Sequence, residues 1–414
     1  MISGDYLTYN YTTPVTAPYG ELWRILRRLT ALDVSSPGRV AAFSDIRRNE
    51  IRLLMNRIMK RCDGEGGTAT LDMKEMFIEL CFNTLSMTIA GKRYYGDDVA
   101  DIEEARMAQF IMKEMLRLSG NTNMADFLPF LRWADFQGLE KKFSKFKDQM
   151  DNFLQGLVDY CRQNMRSGLD NARTNPTLIE HMLTLQKEEP KLYSDQQIKA
   201  VSLVLLVAVT DTLSITLEWA LSLLLNHPII MKKVESEINA NIPPNRLLTE
   251  EDLPNLPYLN NVVIETLRLY PPLPFLLPHA ADVDCTVAGF DVPRGTMLLV
   301  NLWGLHRDPK LWDGPDNFVP ERHEIKNKIG EKKSSCNNMI PFGVGRRGCP
   351  GIGMAHRVIG LGLGSLIQVF QWKRVDEEKI DMSELSGMNL PKAQPLLAIC
   401  KPRPMIIGFS MVPS

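Results

Sequence analysis

The chain has almost no net charge. Lys and Arg number 48 against 49 Asp and Glu over 414 residues, a balance of −1. That is not the positive excess by which proteins hold nucleic acid or strongly anionic surfaces, and no nucleic-acid partner is expected. It has no C-x-x-C pair either: its seven cysteines are scattered at positions 62, 81, 161, 285, 336, 349 and 400. This argues against a zinc site or a disulfide framework and for a reducing compartment. No run of about eighteen uninterrupted apolar residues occurs, as a spanning helix would need. The nearest candidate, Ala200 to Ala208, is short and leads into Asp211. The start, Met1-Ile2-Ser3-Gly4-Asp5-Tyr6, carries no signal-peptide pattern. No repeat period is visible.

What is present is mostly helix-period sequence, in a chain long enough to bury a large core. Such segments are Asp45–Lys60, Leu71–Ala90, Glu103–Leu118 and Leu139–Arg166, separated by breaks such as Asp63-Gly64-Glu65-Gly66-Gly67. The polar stretch Arg166–Asn175 reads as a connection. Ser194-Asp195-Gln196-Gln197 forms a capping box that opens a helix running to about Asn226, closed by His227-Pro228. From Val201 to Val209 this helix is apolar nearly all round and should run through the interior. Thr210-Asp211-Thr212 interrupts it. A buried aspartate is costly unless it has partners or a proton to move. The plainer alternative is a carboxylate capping a neighbouring helix, with the threonines bonding back to carbonyls one turn earlier.

Tyr258–Leu269 is a further helix, with Glu265 and Arg268 on one face. From Cys285 to Asn301 apolar residues alternate, with turn signals at Gly289 and Pro293-Arg294-Gly295. Strand-like pieces around Leu396–Cys400 and Met405–Phe409 predict a final hairpin. The expected fold is mainly α, with a small β-rich part at residues about 270–300 and 382–410. Near the start, Trp23 and Arg27 are four apart and share a helix face. By themselves they suit an amphipathic surface helix with a basic rim.

The most informative stretch is Pro341-Phe342-Gly343-Val344-Gly345-Arg346-Arg347-Gly348-Cys349-Pro350-Gly351. An apolar helix comes after it, so Cys349 stands at a loop-to-helix junction, with Pro350 expected at the first helical position. A thiolate there is stabilised by the positive end of the helix dipole and by free N–H groups. The glycines leave room for a flat, bulky group against the backbone. Phe342, Gly345, Arg347, Cys349 and Gly351 fit Phe-x-x-Gly-x-Arg-x-Cys-x-Gly, which chance supplies on the order of 10⁻⁴ times in such a chain.

That string resembles the haem-thiolate signature of the cytochrome P450 family, and the resemblance runs from Tyr6 to Pro404. It is especially similar to the plant isoflavone 2′-hydroxylase-like group, through strings such as Thr216-Leu217-Glu218-Trp219-Ala220 and His306-Arg307-Asp308-Pro309-Lys310-Leu311-Trp312. The resemblance implies a single haem-thiolate monooxygenase domain over residues 1–414. It also implies a P450 fold that lacks the family's N-terminal strands and membrane anchor.

The implied cofactor is haem b, with Cys349 as axial iron ligand. Trp23, Arg27, His279 and Arg347 are the implied donors to its propionates. Glu265, Arg268 and Arg322 match a locking Glu–Arg–Arg triad. Asp211 and Thr212 match the pair that relays protons to bound oxygen. Val204, Ala208, Phe275, Leu276, Leu277 and Leu390 are the implied pocket lining, or plain core. Electrons are expected from an NADPH-dependent reductase docking near Arg346 and Arg357. The expected substrate is a small hydrophobic aromatic plant metabolite, hydroxylated with O2.

For the family, location at the cytosolic face of the endoplasmic reticulum membrane is expected. This chain alone, without the anchor, is expected in the cytoplasm. Three positions depart from the pattern. Val209 stands where the family has glycine, Leu213 where it has threonine or serine, and His323 where it has phenylalanine. A β-branched Val209 should resist the helix loosening that glycine permits. Two other readings stay open: a haem-thiolate isomerase or dehydratase, and a non-catalytic haem-binding fragment.

Overall fold

Apolar side chains recurring at helical spacing build most of the molecule, and short alternating stretches build the rest. The computed structural model describes residues 2–96, 99–119, 126, 128, 138–167, 175–324 and 339–404. The first helices are α1 (Ile2–Leu7), α2 (Glu21–Leu29), α3 (Pro37–Ala42) and α4 (Ser44–Gly64). Strand β1 (Ala69–Asp72) leads into α5 (Met73–Ala90), α6 (Ile102–Ser119), α7 (Leu139–Ser167) and α8 (Leu178–Glu188). Next come α9 (Asp195–Asn226), α10 (Pro228–Asn241) and α11 (Pro257–Leu269). Short strands come after these: β2 (His279–Ala280), β3 (Cys285–Val287), β4 (Phe290–Val292) and β5 (Met297–Leu298). The chain then runs through α12 (Leu302–Leu305), α13 (Ile352–Val369), β6 (Phe370–Arg374) and β7 (Leu397–Pro402).

The chain divides into two compact units. The first takes in Met1–Leu54, Glu75–Leu213 and Pro350–Ala355. Its longest whole helix, α7, buries Phe143, Phe146, Met150, Phe153, Leu154, Leu157, Val158 and Cys161. That is the one-face stripe of an amphipathic helix, and each full side-chain burial contributes about 1.5–3 kcal/mol. The capping box expected at α9 forms only in half. The Gln197 amide donates to Ser194 Oγ at 3.4 Å, but Gln197 Oε1 is buried with no partner among the described residues. Asp195 is tied down instead by Arg162 at 2.7 Å and Gln186 at 2.9 Å.

The second unit takes in Met55–Lys74, Ser214–Cys349 and His356–Ser414, and holds all the strands found among the described residues. Its main sheet has the order β1-β7-β6, antiparallel throughout, with Ala69 opposite Cys400 and Trp372 opposite the same cysteine on the other side. Strands β2 and β5 form one small ribbon and β3 and β4 another. Ala288 (φ 51) and Gly289 (φ 86) both lie in the left-handed region, the turn that matches strand twist in a two-residue hairpin. Gly295 (φ 82) sits in a turn closed by the Thr296 N–H on Pro293 O at 3.1 Å.

The β-rich part expected at 270–300 is therefore present. β1 and β6 were not expected: they are four and five residues long, and β1 lies where sequence periodicity favoured helix. Residues 405–409, expected as a strand, and 168–174 of the expected polar connection lie outside the described residues.

Two helices, α9 and α13, are apolar and long enough to cross a membrane by length and composition. However, 67% and 78% of their most apolar windows are buried in the fold.

Candidate active site

The loop at residues 341–351 is built by backbone, not by packing: none of its residues is buried. Gly343 (φ 68) and Gly345 (φ 74) are left-handed, and a single 3-10 turn occupies Gly345–Arg347. The Cys349 N–H donates to Phe342 O at 2.8 Å, closing the loop on itself. A Cβ on Gly343 would lie 3.8 Å from Leu276 Cδ2, so that leucine packs against the loop. A Cβ on Gly345 would meet nothing within 4 Å. The Phe342 ring rests on His356 with centroids 5.6 Å apart.

Helix α13 begins at Ile352, with Gly351 O accepting the Ala355 N–H at 2.9 Å. Gly351 is therefore the cap, and Pro350 precedes it, although its sequence context predicts the first helical position. The correction leaves Cys349 close ahead of the helix N-terminus, where the dipole favours a thiolate. Cys349 is exposed and not disulfide-bonded; among the other described cysteines only Cys285 is exposed.

A haem held by a thiolate needs a thiol open to its surroundings, bare backbone beside it, and cations for its carboxylates. The exposed Cys349, the open space over Gly345 and the half-buried Arg347 fit that group. Burial lowers the Arg347 guanidinium from its ordinary value. His279 is exposed in β2, opposite Leu298.

Glu265 anchors the part of this unit behind the loop. It and Arg268 are fully buried, joined by two hydrogen bonds of 2.9 and 2.8 Å. Arg322 Nε donates to Glu265 Oε1 at 2.9 Å, and the Val319 N–H donates to the same oxygen at 3.1 Å. His323 Nε2 lies 2.7 Å from Glu265 Oε2. Burial raises the Glu265 carboxyl, but hydrogen bonds from Arg268 and His323 outweigh it and hold it at about 2. Arg268 spends its other donors on His306 O and Pro315 O, each at 2.7 Å, and on Asn317 O at 3.1 Å. The expected triad is thus a quartet. His323, which in the sequence is only a departure from the family pattern, supplies the fourth member.

Leu390 is buried and held on both sides: its N–H donates to Pro272 O at 2.9 Å, and its carbonyl accepts Trp219 Nε1–H at 2.8 Å. The Trp219 ring stacks on Tyr270 at 3.9 Å, and Lys392 lies over its ring at 4.7 Å. Sequence gave Trp219 no role, although a buried indole N–H usually finds an acceptor. Phe275 and Leu277 are exposed, and the Leu276 N–H donates to Val300 O at 3.0 Å.

In the first unit, α9 is covered almost everywhere. Between Ile198 and Leu213 only Ala208 is exposed, with half-buried Val204, Val207, Val209, Asp211 and Thr212 around it. The spacing 204, 208, 211 and 212 makes these one face. Thr212 Oγ1 donates to Ala208 O at 2.7 Å, and the helix runs unbroken past Val209. Burial first, and then the charge of Asp211, push the Cys81 thiol up. On α2, Trp23 is buried with Leu26 and Leu29, and Arg27 is half-buried. The Trp23 ring lies 5.4 Å from Tyr19.

Comparison with known proteins gives the family and the fold. The family model described as Cytochrome P450 matches residues 5–398. Over 403 residues the chain is 48% identical to cytochrome P450 81Q32 of Catharanthus roseus, covering 97% of this chain and 77% of that protein. Over 408 residues it is 44% identical to isoflavone 2′-hydroxylase of Glycyrrhiza echinata, covering 98% and 79%. A solved zebra fish cytochrome P450 with progesterone matches the fold with a TM-score of 0.76 at 22% identity, covering 97% of this chain and 87% of that one.

Proposed function

The chain belongs to the cytochrome P450 family and is a monooxygenase, and from that premise we propose that it hydroxylates a plant aromatic secondary metabolite, isoflavonoid- or phenylpropanoid-like. In this reading O2 supplies the oxygen, and an NADPH-dependent reductase supplies the electrons. The observation that carries it is the Cys349 loop, an exposed thiol on glycine-built backbone just ahead of a helix. The substrate class rests on the 44% identity to a protein named isoflavone 2′-hydroxylase.

Cys349 would hold the iron of haem b, and Phe342, Gly345 and Gly351 would shape the loop that presents it. By the family resemblance, Arg347 and His279, and in the first unit Trp23 and Arg27, would be the donors to its carboxylates. Bound there, the haem supplies oxygen activation and transfer. The residues of the chain handle orientation and protons. The Thr212 hydroxyl now gives its hydrogen to Ala208 O, so it must turn to donate elsewhere. Asp211, one residue earlier on the uncovered face, is the carboxylate that can hold and return that proton. The same reading assigns apolar contact with an aromatic substrate to Val204 and Ala208 of the first unit and to Phe275, Leu276, Leu277 and Leu390 of the second.

Arg346 offers exposed positive charge to a reductase, while Arg357 Nε lies 3.3 Å from Glu250 and is partly neutralised. The expected location is the cytosolic face of the endoplasmic reticulum membrane.

The test is the reduced, carbon monoxide-treated protein, and then turnover of an isoflavone panel with reductase and NADPH. The expected results are a red-shifted thiolate Soret band, absent in Cys349→Ala, and products heavier by one oxygen atom. A normal band in Cys349→Ala would overturn the ligand assignment. A good band with no product from any aromatic substrate would overturn the substrate class.

A further inference from the structure

We propose that His306 is a positioning residue for the thiolate loop, its ring holding Ile340 at the loop's root while its carbonyl is held by Arg268. The inference rests on the reading of Cys349 as the haem ligand. His306 lies directly after α12 and is completely buried. Its N–H donates to Leu302 O at 2.8 Å and its carbonyl accepts Arg268 Nη1 at 2.7 Å, so its backbone is fixed from two sides. Its ring Nε2 accepts the Ile340 N–H at 3.2 Å.

An imidazole nitrogen that accepts a hydrogen bond carries no proton, so the ring hydrogen is on Nδ1. Nδ1 is buried and makes no hydrogen bond of good geometry among the described residues; the Arg268 main chain is a weaker partner. A buried donor without a well-placed acceptor is costly, and a leucine filling the same space would avoid that cost. Core filling is therefore a poor account of this histidine. Holding an amide is a better one.

The Ile340 amide matters because it stands immediately ahead of the thiolate loop. Pro341, the next residue, has no N–H to give. Ile340 O accepts the Gly343 N–H at 2.9 Å, and Phe342 O accepts the Cys349 N–H at 2.8 Å. The loop has no buried residue, and beside the contacts of Leu276 with Gly343 and of Phe342 with His356 it is hydrogen bonds that set its place. A continuous set of contacts thus runs from Glu265 through Arg268, His306 and Ile340 to the Cys349 loop. The Glu265 quartet reaches that loop through this side chain.

The test uses the full chain, haem-free and haem-loaded, with His306→Leu and His306→Gln; the glutamine carbonyl oxygen can stand where Nε2 stands. Hydrogen exchange at the Ile340 amide is read by mass spectrometry, and the thiolate share of the ferrous carbon monoxide complex by its Soret band. In His306→Leu, exchange should quicken about tenfold and the thiolate share should drop about threefold. His306→Gln should bring both back to within about twofold of the native protein.

Native-like exchange in His306→Leu, or a glutamine variant that behaves like the leucine one, would overturn the proposal. If His306→Leu does not fold, His306→Gln alone decides: retained Ile340 protection supports the proposal, and lost protection sinks it. A native protein without a thiolate band would remove the haem reading, while Ile340 exchange would still report on the anchor.

Discussion

Single residues decide how this protein answers to acid. Burial lowers His306 to about 4 from an ordinary 6.5; the charges of Arg268 and Arg307 add to this, while a hydrogen bond between its ring and the Arg268 main chain works the other way. The unfolded chain takes up that proton near pH 6.5 and the folded chain only near 4. Stability should therefore be complete above pH 6.5 and fall by about 3 kcal/mol as pH drops to 4. Glu265, held at about 2 against an ordinary 4.5, adds a second loss of similar size between pH 4.5 and 2. Denaturant melts across pH should show both steps, and His306→Gln should lose the first while keeping the second. The first step persisting unchanged in the variant would show that another group causes it.

His323→Phe installs the residue that the family pattern has at this position. It removes a 2.7 Å contact from a buried carboxylate, for an expected loss of about 1–3 kcal/mol. Unaltered stability in urea would mean that the Arg268 and Arg322 bonds alone satisfy Glu265.

At the scale of the element, α9 carries the sharpest question. It runs unbroken past Val209, and Thr212 bonds back one turn to Ala208 O, as an ordinary helical threonine does. Val209→Gly should cost about 1 kcal/mol of stability, because glycine weakens helix interiors. In exchange it should loosen the turn and raise product formed per NADPH consumed severalfold. Stability lost without any gain in coupling would place the restriction elsewhere. The Cys349 loop tests the opposite device, a segment that needs its glycines. Gly345→Ala meets no neighbour, so only its left-handed φ of 74 opposes the change, at about 1 kcal/mol. A much larger loss of haem would show that the bare backbone there is needed for the cofactor itself.

For the molecule as a whole, the stretch from Phe275 to Trp303 is the weak point of the second unit. Val283, Phe290, Met297, Leu298 and Leu299 are each more than half exposed, on or beside two ribbons of only two strands. Open strand edges with apolar faces recruit further strands. The chain by itself should self-associate on gel filtration, and Phe290→Lys with Leu298→Lys should shift it toward monomer. A monodisperse monomer of the unaltered chain would refute this.

The features legible in the amino-acid order are local ones. The spacing of five residues pointed to the Cys349 loop, helix-period segments predicted α4, α5, α6, α7 and α11, and Glu265 and Arg268 share a face because they lie three apart on one helix. Such features depend on neighbours within a turn or two, and so they can be read from a short window. It took the folded chain to pair Ala69 with Cys400, bring His323 to Glu265, or set His306 against Ile340. Strands of four and five residues carry too little periodicity to name their partners, and those partners lie far away in the chain. A histidine's task depends on which amide or carboxylate faces it, and that is settled when distant segments pack. The bare face around Ala208 is of the same kind. In the sequence Val204 and Ala208 suit either pocket lining or core, and only packing leaves Ala208 exposed and its neighbours half-covered among the described residues.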